Sequence, residues 1–314
     1  MTKKALSFIF IFLICSKVFA YTNAVTIYEE GNYRYIESNG IPDHEPGQFP
    51  NSGNPNAISE QTHRFRVPIH PRMTGQAKAF GHNLFGVALN GVPFDPETVE
   101  YWNNERGSGW NYDAMSGKIN LGLDHSHAHV QPGGMYHYHG IPTDMLKSMS
   151  ASQLIGYAAD GFPIYYDTQF KTSYRLKRGT RPSGPGGSYD GTFVEDYAYH
   201  EGSGDLDECN GRGHVGDYRY YLTDEFPFVP RCLKGEPDPS FNKKARRGGS
   251  GWDQDTRRTM GSHPPPLGMP PQEALDACEQ SHRADACHFR APHGIVSGSC
   301  EEIQGHLACV PSRR

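Results

Sequence analysis

The sequence predicts a mainly β fold: a Gly/Pro-rich β-sandwich or barrel-like domain made of two copies of one β unit, followed by a small disulfide-stabilised C-terminal tail module. Three observations predict it. The 314 residues include 36 glycines and 24 prolines, a density that excludes long helices and suits short strands joined by turns. Aromatic and β-branched residues run steadily from Tyr21 to about Leu233. A motif also recurs: FGVALNGVPF (85–94) and IGYAADGFPI (155–164) both fit G-x-A-x-[ND]-G-x-P, 70 residues apart. Each copy reads as a strand, an Asn-Gly or Asp-Gly turn, and a proline that cannot sit inside a ladder.

The chain opens on MTKKALSFIFIFLICSKVFA, with Lys3 and Lys4 ahead of an apolar run and small residues near Ala20. That order is a secretory signal peptide over residues 1–20, too short to span a bilayer stably. The mature chain is expected to begin near Tyr21 and to be exported, either periplasmic or secreted, with no membrane span. Loss of Lys3, Lys4 and Lys17 takes the net charge from −5 to −8. An acidic mature chain argues against nucleic acid and anionic membrane surfaces as partners; nothing in the sequence points to a protein partner.

Within the main domain, 21–233, the repeats are placed at 80–150 and 151–230. Each motif copy is followed by a second pattern: Leu123-Asp124, His129-Val130 and Tyr136-His137-Tyr138-His139, then Leu206-Asp207, His214-Val215 and Tyr218-Arg219-Tyr220-Tyr221. The histidines belong to the first copy.

HSHAHVQPGGMYHYHG (125–140) holds five of the chain's 16 histidines. Ala128 to His139 reads as a hairpin. QPGGM suits a type I turn with a left-handed glycine at Gly134 and a three-residue loop, 132–134. The register then sets Val130 against Tyr136, His129 against His137, and His127 against His139. One face carries Ala128, Val130, Tyr136 and Tyr138, which is core material. The other carries His127, His129, His137 and His139, off the core and close enough to share an ion. Four neutral imidazoles are a transition-metal donor set, with copper or zinc the leading candidates. His125 continues the alternation at the rim. Asp124 is placed to orient one imidazole through its second nitrogen. The acidic group Asp205, Asp207 and Glu208 lacks a calcium-loop spacing.

Export also makes the cysteines legible. Cys15 leaves with the signal, and Cys209, Cys232, Cys278, Cys287, Cys300 and Cys309 remain for disulfides. Cys209 and Cys232 bracket a strand-like stretch and are expected to bridge it. Residues 234–270 hold little that could build a core and read as a flexible linker. The tail, 271–314, reads as a helix over 271–279 and three strands around 287–289, 295–300 and 307–310. Its four cysteines allow three pairings. A three-residue loop at Pro292-His293-Gly294 would set Cys287 opposite Ser299 and disfavour a 287–300 bond.

Several blocks resemble the YHYH family, named for the four residues that here are Tyr136-His137-Tyr138-His139: AHVQPGGMYHYHGIP (128–142), IGYAADGFPIY (155–165), YDGTFVEDY (189–197), GDLDECNGR (204–212) and TDEFPFVPRC (223–232). APHG, SGSC and LACVP resemble a tail found on some exported members. The resemblance spans most of 80–233. It implies an exported bacterial protein with a β-rich domain, and no particular reaction.

Three functions fit these residues: a metal-binding module without turnover, a metal-dependent hydrolase or oxidase, and a structural protein with a metal-free His/Tyr hydrogen-bond network. No acid–base carboxylate lies inside the histidine stretch, and no phosphate loop or nucleophile elbow occurs elsewhere.

Overall fold

The structure, a computed structural model, describes residues 22–79, 81, 83–149, 154–214, 216–243, 272–278, 281–291, 294–303 and 306–311. The expected signal peptide and residues 244–270 of the expected linker lie outside the described residues. The chain divides into two units, residues 1–250 and 251–314. Among the described residues no helix is long and apolar enough to cross a membrane.

The first unit begins with an antiparallel sheet of β1 (Val25–Glu30), β2 (Tyr33–Ser38) and β3 (His63–Pro68). In β3 the period of two is plain: His63, Phe65 and Val67 are buried while Arg64 is exposed, as expected of a sheet with one face on a core. Ten strands follow: β4 (Gly86–Ala88), β5 (Pro93–Phe94), β6 (Ala128–Val130), β7 (Tyr136–Tyr138), β8 (Leu154–Ala158), β9 (Pro163–Tyr166), β10 (Tyr174–Leu176), β11 (Tyr197–Tyr199), β12 (Gly211–Arg212) and β13 (Arg219–Leu222). One short helix, α1 (Thr143–Ser148), lies between β7 and β8. β10 and β11 form a ribbon of their own; the other eight form one sheet in the order β12-β13-β9-β8-β4-β5-β7-β6. That order is open at β12 and β6. The fold is a mainly β domain of several sheets, and none of those described closes into a barrel.

The two motif copies occupy matching places in the large sheet. Each forms a tight hairpin, β4–β5 and β8–β9, and each second strand runs parallel to the Tyr-rich strand that follows, β7 or β13. The polar contacts match as well. Asn90 at the first turn donates to the Tyr138 hydroxyl at 2.9 Å, and at the second turn Asp160 accepts from the Tyr220 hydroxyl at 2.6 Å. Tyr136 donates to Asp124 at 2.6 Å, and Tyr218 to Asp207 at 3.0 Å. One correspondence read from the sequence needs correction. Ala128 opposes Tyr138, and Gly211 opposes Tyr220, so the counterpart of His129 is Arg212 and not His214. The second copy therefore carries Arg212, Arg219 and Tyr221 where the first carries His129, His137 and His139. Asp207 and Glu208 are taken up by Lys234, at 3.2 and 2.7 Å.

The core contains Phe65, Phe85, Phe94, Tyr136, Tyr138 and Tyr220, all fully buried. It also contains Phe241, which corrects the expected start of the linker. Lys234 donates its backbone N–H to Tyr220, Gly235 donates to Asp160, and Arg66 pairs with Asp238 at 2.9 Å. Asp238 then caps a short turn, Pro239–Phe241, that sets the Phe241 ring 4.6 Å from Phe65. A single aromatic among polar residues gives no periodic signal, yet it pins ten residues to the domain. Cys209 and Cys232 are bonded.

The second unit contains α2 (Gln272–Asp276) and an antiparallel sheet of β14 (Ala286–Ala291), β15 (Gly294–Ile303) and β16 (His306–Pro311). Cys287 opposes Gly298, one residue away from the expected Ser299. The connection is two residues long, so Cys300 shares the face of Cys287 and the facial argument against that pair does not hold. The bonds nonetheless run 278–300 and 287–309. Buried cysteines dominate this small cluster, which includes Ala274; covalent links stand in for a hydrophobic core of useful size.

Candidate metal centre

The hairpin forms with the register that its turn requires. Gly134 donates to the Gln131 carbonyl at 2.9 Å and takes φ +86°, and a methyl group there would lie 1.9 Å from Ser59 Oγ. Across the strands His129 opposes His137 and Val130 opposes Tyr136. Tyr136 and Tyr138 point into the core, as expected.

Three of the four expected ligands come together. The rings of His129, His137 and His139 form a nearly equilateral triangle, with centroids 4.7, 4.7 and 4.8 Å apart. One nitrogen from each lies within 4.8 Å of the others. His129 Nε2 and His139 Nε2 are 3.1 Å apart. Two ligands on one tetrahedral ion with bonds of about 2.0 Å stand roughly 3.3 Å apart, so the spacing suits a shared ion.

His127 does not join them. Its backbone takes φ +56°, which breaks the strand alternation, and its Nδ1 bonds the Ile141 carbonyl at 2.8 Å. His125 also lies apart, exposed and paired with the Asp144 carboxylate. Asp124 meets no imidazole. It accepts from Tyr136 and from the backbone N–H groups of Gly47, Ser126 and Ala128. Carbonyls do the orienting instead: His129 Nδ1 faces Leu121 O at 2.9 Å, and His137 Nδ1 faces Met135 O at 3.3 Å. Each carbonyl fixes the proton on Nδ1 and leaves an Nε2 lone pair for a cation. His139 Nδ1 is buried with no hydrogen-bond partner, an uncommon state that calls for a chemical reason.

The site is also deeper than expected. His137 and His139 are 1% and 2% exposed, where the sequence placed the histidine face off the core. Burial, then the neighbouring imidazoles, holds both well below the ordinary imidazole range. Burial likewise lowers His129, against the opposing pull of the Leu121 carbonyl. All three are neutral at pH 7, the protonation state that a metal needs.

Sequence reasoning missed the charged residues around the triangle. Asp95 follows β5 and is buried against Lys243 at 2.8 Å, with Glu97 3.6 Å from the same ammonium. Asp113 is buried and only loosely paired with Arg231, at 3.7 Å; its Oδ2 and Arg231 Nε both lack hydrogen-bond partners. The charges of Arg231 and Lys243 both act on His139. Burial raises Asp95 and Asp113 above the usual carboxylate range. These residues come from distant parts of the chain, and no local pattern could have gathered them. Cys278, Cys287 and Cys300 also cluster, but all three are in disulfides and offer no thiolate.

Comparison with known protein families matches residues 64–235 to the YHYH protein family. The chain belongs to that family. The match covers more than half of the 314 residues and includes the whole trihistidine hairpin. No curated protein and no solved structure matches the chain. For this YHYH protein the motif divides its labour: the tyrosines hold the hairpin to the core, and the histidines, with His129, form the triangle.

Proposed function

We propose that this YHYH protein is exported and binds a transition metal, copper or zinc, through His129, His137 and His139. Three neutral imidazoles with converging lone pairs, two of them buried and His129 half-buried, support this most directly. The negative charges of Glu100, Asp95 and Asp124 act on His129 in the sense that favours a cation. Three cross-linked cysteine pairs fit an oxidising compartment outside the cytoplasm. The metal-free His/Tyr network has less support. The Tyr136 and Tyr138 hydroxyls engage Asp124, Asn90 and His44, on the far face of the hairpin.

A hydrolytic role has one observation in its favour. Three protein ligands leave a coordination position open, and the charge of Asp95, a buried carboxyl group, acts on His129. A metal-bound water beside a carboxylate is the arrangement that such enzymes use.

The test is metal analysis of tag-free protein recovered from outside the cytoplasm, followed by calorimetric titration with Zn(II) and Cu(II). About one equivalent per chain is expected. Undiminished binding after replacement of both His137 and His139 by Ala overturns the assignment.

A further inference from the structure

The ribbon of β10 and β11 floors a groove of about 680 Å³, lined by Arg175, Lys177, Arg178, Tyr189, Ala198 and His200. That volume lies in the range of ligand sites. The ribbon is held from behind: Tyr197 stacks on Phe226 at 4.0 Å, and Tyr174 meets the same ring at 5.3 Å. Its exposed side therefore rests on a packed support.

The electrostatics of the groove run against those of the chain. The sequence has 35 acidic and 30 basic residues, yet three cations line this groove and none meets a carboxylate among the described residues. Arg175 gives three of its five N–H groups to the carbonyls of Thr172, Tyr174 and Ser203. Lys177 donates to the Glu195 carbonyl at 2.7 Å. Carbonyls satisfy donors and fix side chains, but they leave the positive charge uncancelled. Acids are not scarce nearby. Arg181, a few residues on, is paired with Asp190 and Asp196 at 2.6 Å each. Arg175, Lys177 and Arg178 are thus unneutralised in a neighbourhood that could have neutralised them, and two of the three are held in place.

We propose that this groove binds a linear carboxylated polysaccharide. The cations are strung along residues 175–178, up to about 10 Å of extended chain, which suits successive charges on a polymer better than one compact anion. Arg175 keeps two N–H groups for a carboxylate, the geometry that favours bidentate recognition. Tyr189 supplies an apolar wall for a sugar ring, with Lys177 5.7 Å from its centre. Ala198 keeps the floor low. The site is independent of the histidine triangle.

The experiment measures binding of the full chain to polygalacturonate, to neutral dextran, to inorganic phosphate and to a single-stranded oligonucleotide, at low and high salt. Polygalacturonate should bind, weaken with salt, and bind at least about tenfold less tightly to a Lys177→Gln/Arg178→Gln double variant whose thermal midpoint is unchanged. Ala198→Glu, which sets a like charge on the groove floor, should weaken it too and serves should the double variant misfold. Equal binding to dextran overturns the proposal, as does an unaffected double variant. Binding of phosphate alone, or preference for the oligonucleotide, overturns the polysaccharide assignment.

Discussion

His129 and His139 meet Nε2 to Nε2 at 3.1 Å. Two neutral imidazoles hold that distance with a proton between them or a cation in front of them. The two cases differ in what replacement of each histidine does. His129→Ala or His139→Ala should weaken zinc or copper binding on the order of 100-fold, and His127→Ala should leave it nearly intact, as titration calorimetry would show. Equal losses at all three positions would restore His127 to the site and contradict the geometry.

Removing the ring of His137 should also cost stability. Its side chain is 1% exposed, so His137→Ala should lower the metal-free unfolding free energy by about 1–3 kcal/mol. Tyr138→Ala, at a fully buried ring, should cost about 3–5 kcal/mol. Urea denaturation of the apo variants measures both. A His137→Ala loss within about 0.5 kcal/mol, as at a surface site, would place the histidine face in solvent.

The turn controls the site from a distance. Deleting Gly133 shortens the loop and should shift the register by one residue, which turns alternate side chains over. Metal binding should vanish although every histidine remains. Gly134→Ala keeps the length but forces a methyl group toward Ser59 at a positive φ, and should cost about 1–3 kcal/mol. If the deletion variant titrates like the parent, the strand pairing is wrong.

Asp160 should make stability depend on pH. Burial pushes its carboxyl up to about 6 from 3.8, against the opposing hydrogen bonds from Tyr220 and Gly235. A raised folded value means that the folded chain holds the proton more tightly than the unfolded chain. The contribution is therefore complete below about pH 4 and is lost as pH rises through about 6, with a size of up to about 3 kcal/mol. Asp160→Asn should flatten the unfolding free energy between pH 4 and 7. Its amide oxygen can still accept from both Tyr220 and Gly235, which share one carboxylate oxygen in the parent, so the fold should be kept. A mutant whose pH profile keeps the parent's slope would assign the effect elsewhere.

The hairpin was legible because its information is local. Pro132 and Gly134 define the turn, the turn defines the register, and alternation then separates tyrosines from histidines. Alternation fails at His127, where a left-handed backbone turns one ring away, and nothing in H-A-H announces that. Depth was also hidden. His137 reads as polar and outward, yet it is buried, and the charges that act on the triangle, from Lys243, Asp95 and Arg231, come from far away in sequence, where no window of residues contains them. Phe241 is the same case in miniature, a lone aromatic whose burial depends on Phe65, more than 170 positions earlier. The tail pairing was undecidable for a different reason. One residue of loop length at 292–294 changes which cysteines share a face.

The seam at the centre of the large sheet has a property that follows from its register. Gly86 opposes Ala158, Val87 opposes Tyr157 and Ala88 opposes Gly156. Shifted by the 70 residues that separate the motif copies, the Gly86–Ala158 pair exchanges with Gly156–Ala88, and Val87–Tyr157 maps onto itself. The contact is isologous, as in a twofold dimer. Its tight spots are duplicated as well: a Cβ at Gly86 would meet the Tyr157 carbonyl at 2.6 Å, and one at Gly156 would meet the Val87 carbonyl at 2.1 Å. Each half therefore carries, in one strand, both surfaces of the joint. Cut between the halves, either piece would present an unpaired edge that is complementary to itself. The histidine triangle belongs wholly to one side of that joint, so two such pieces taken from the first half would carry two triangles in place of one.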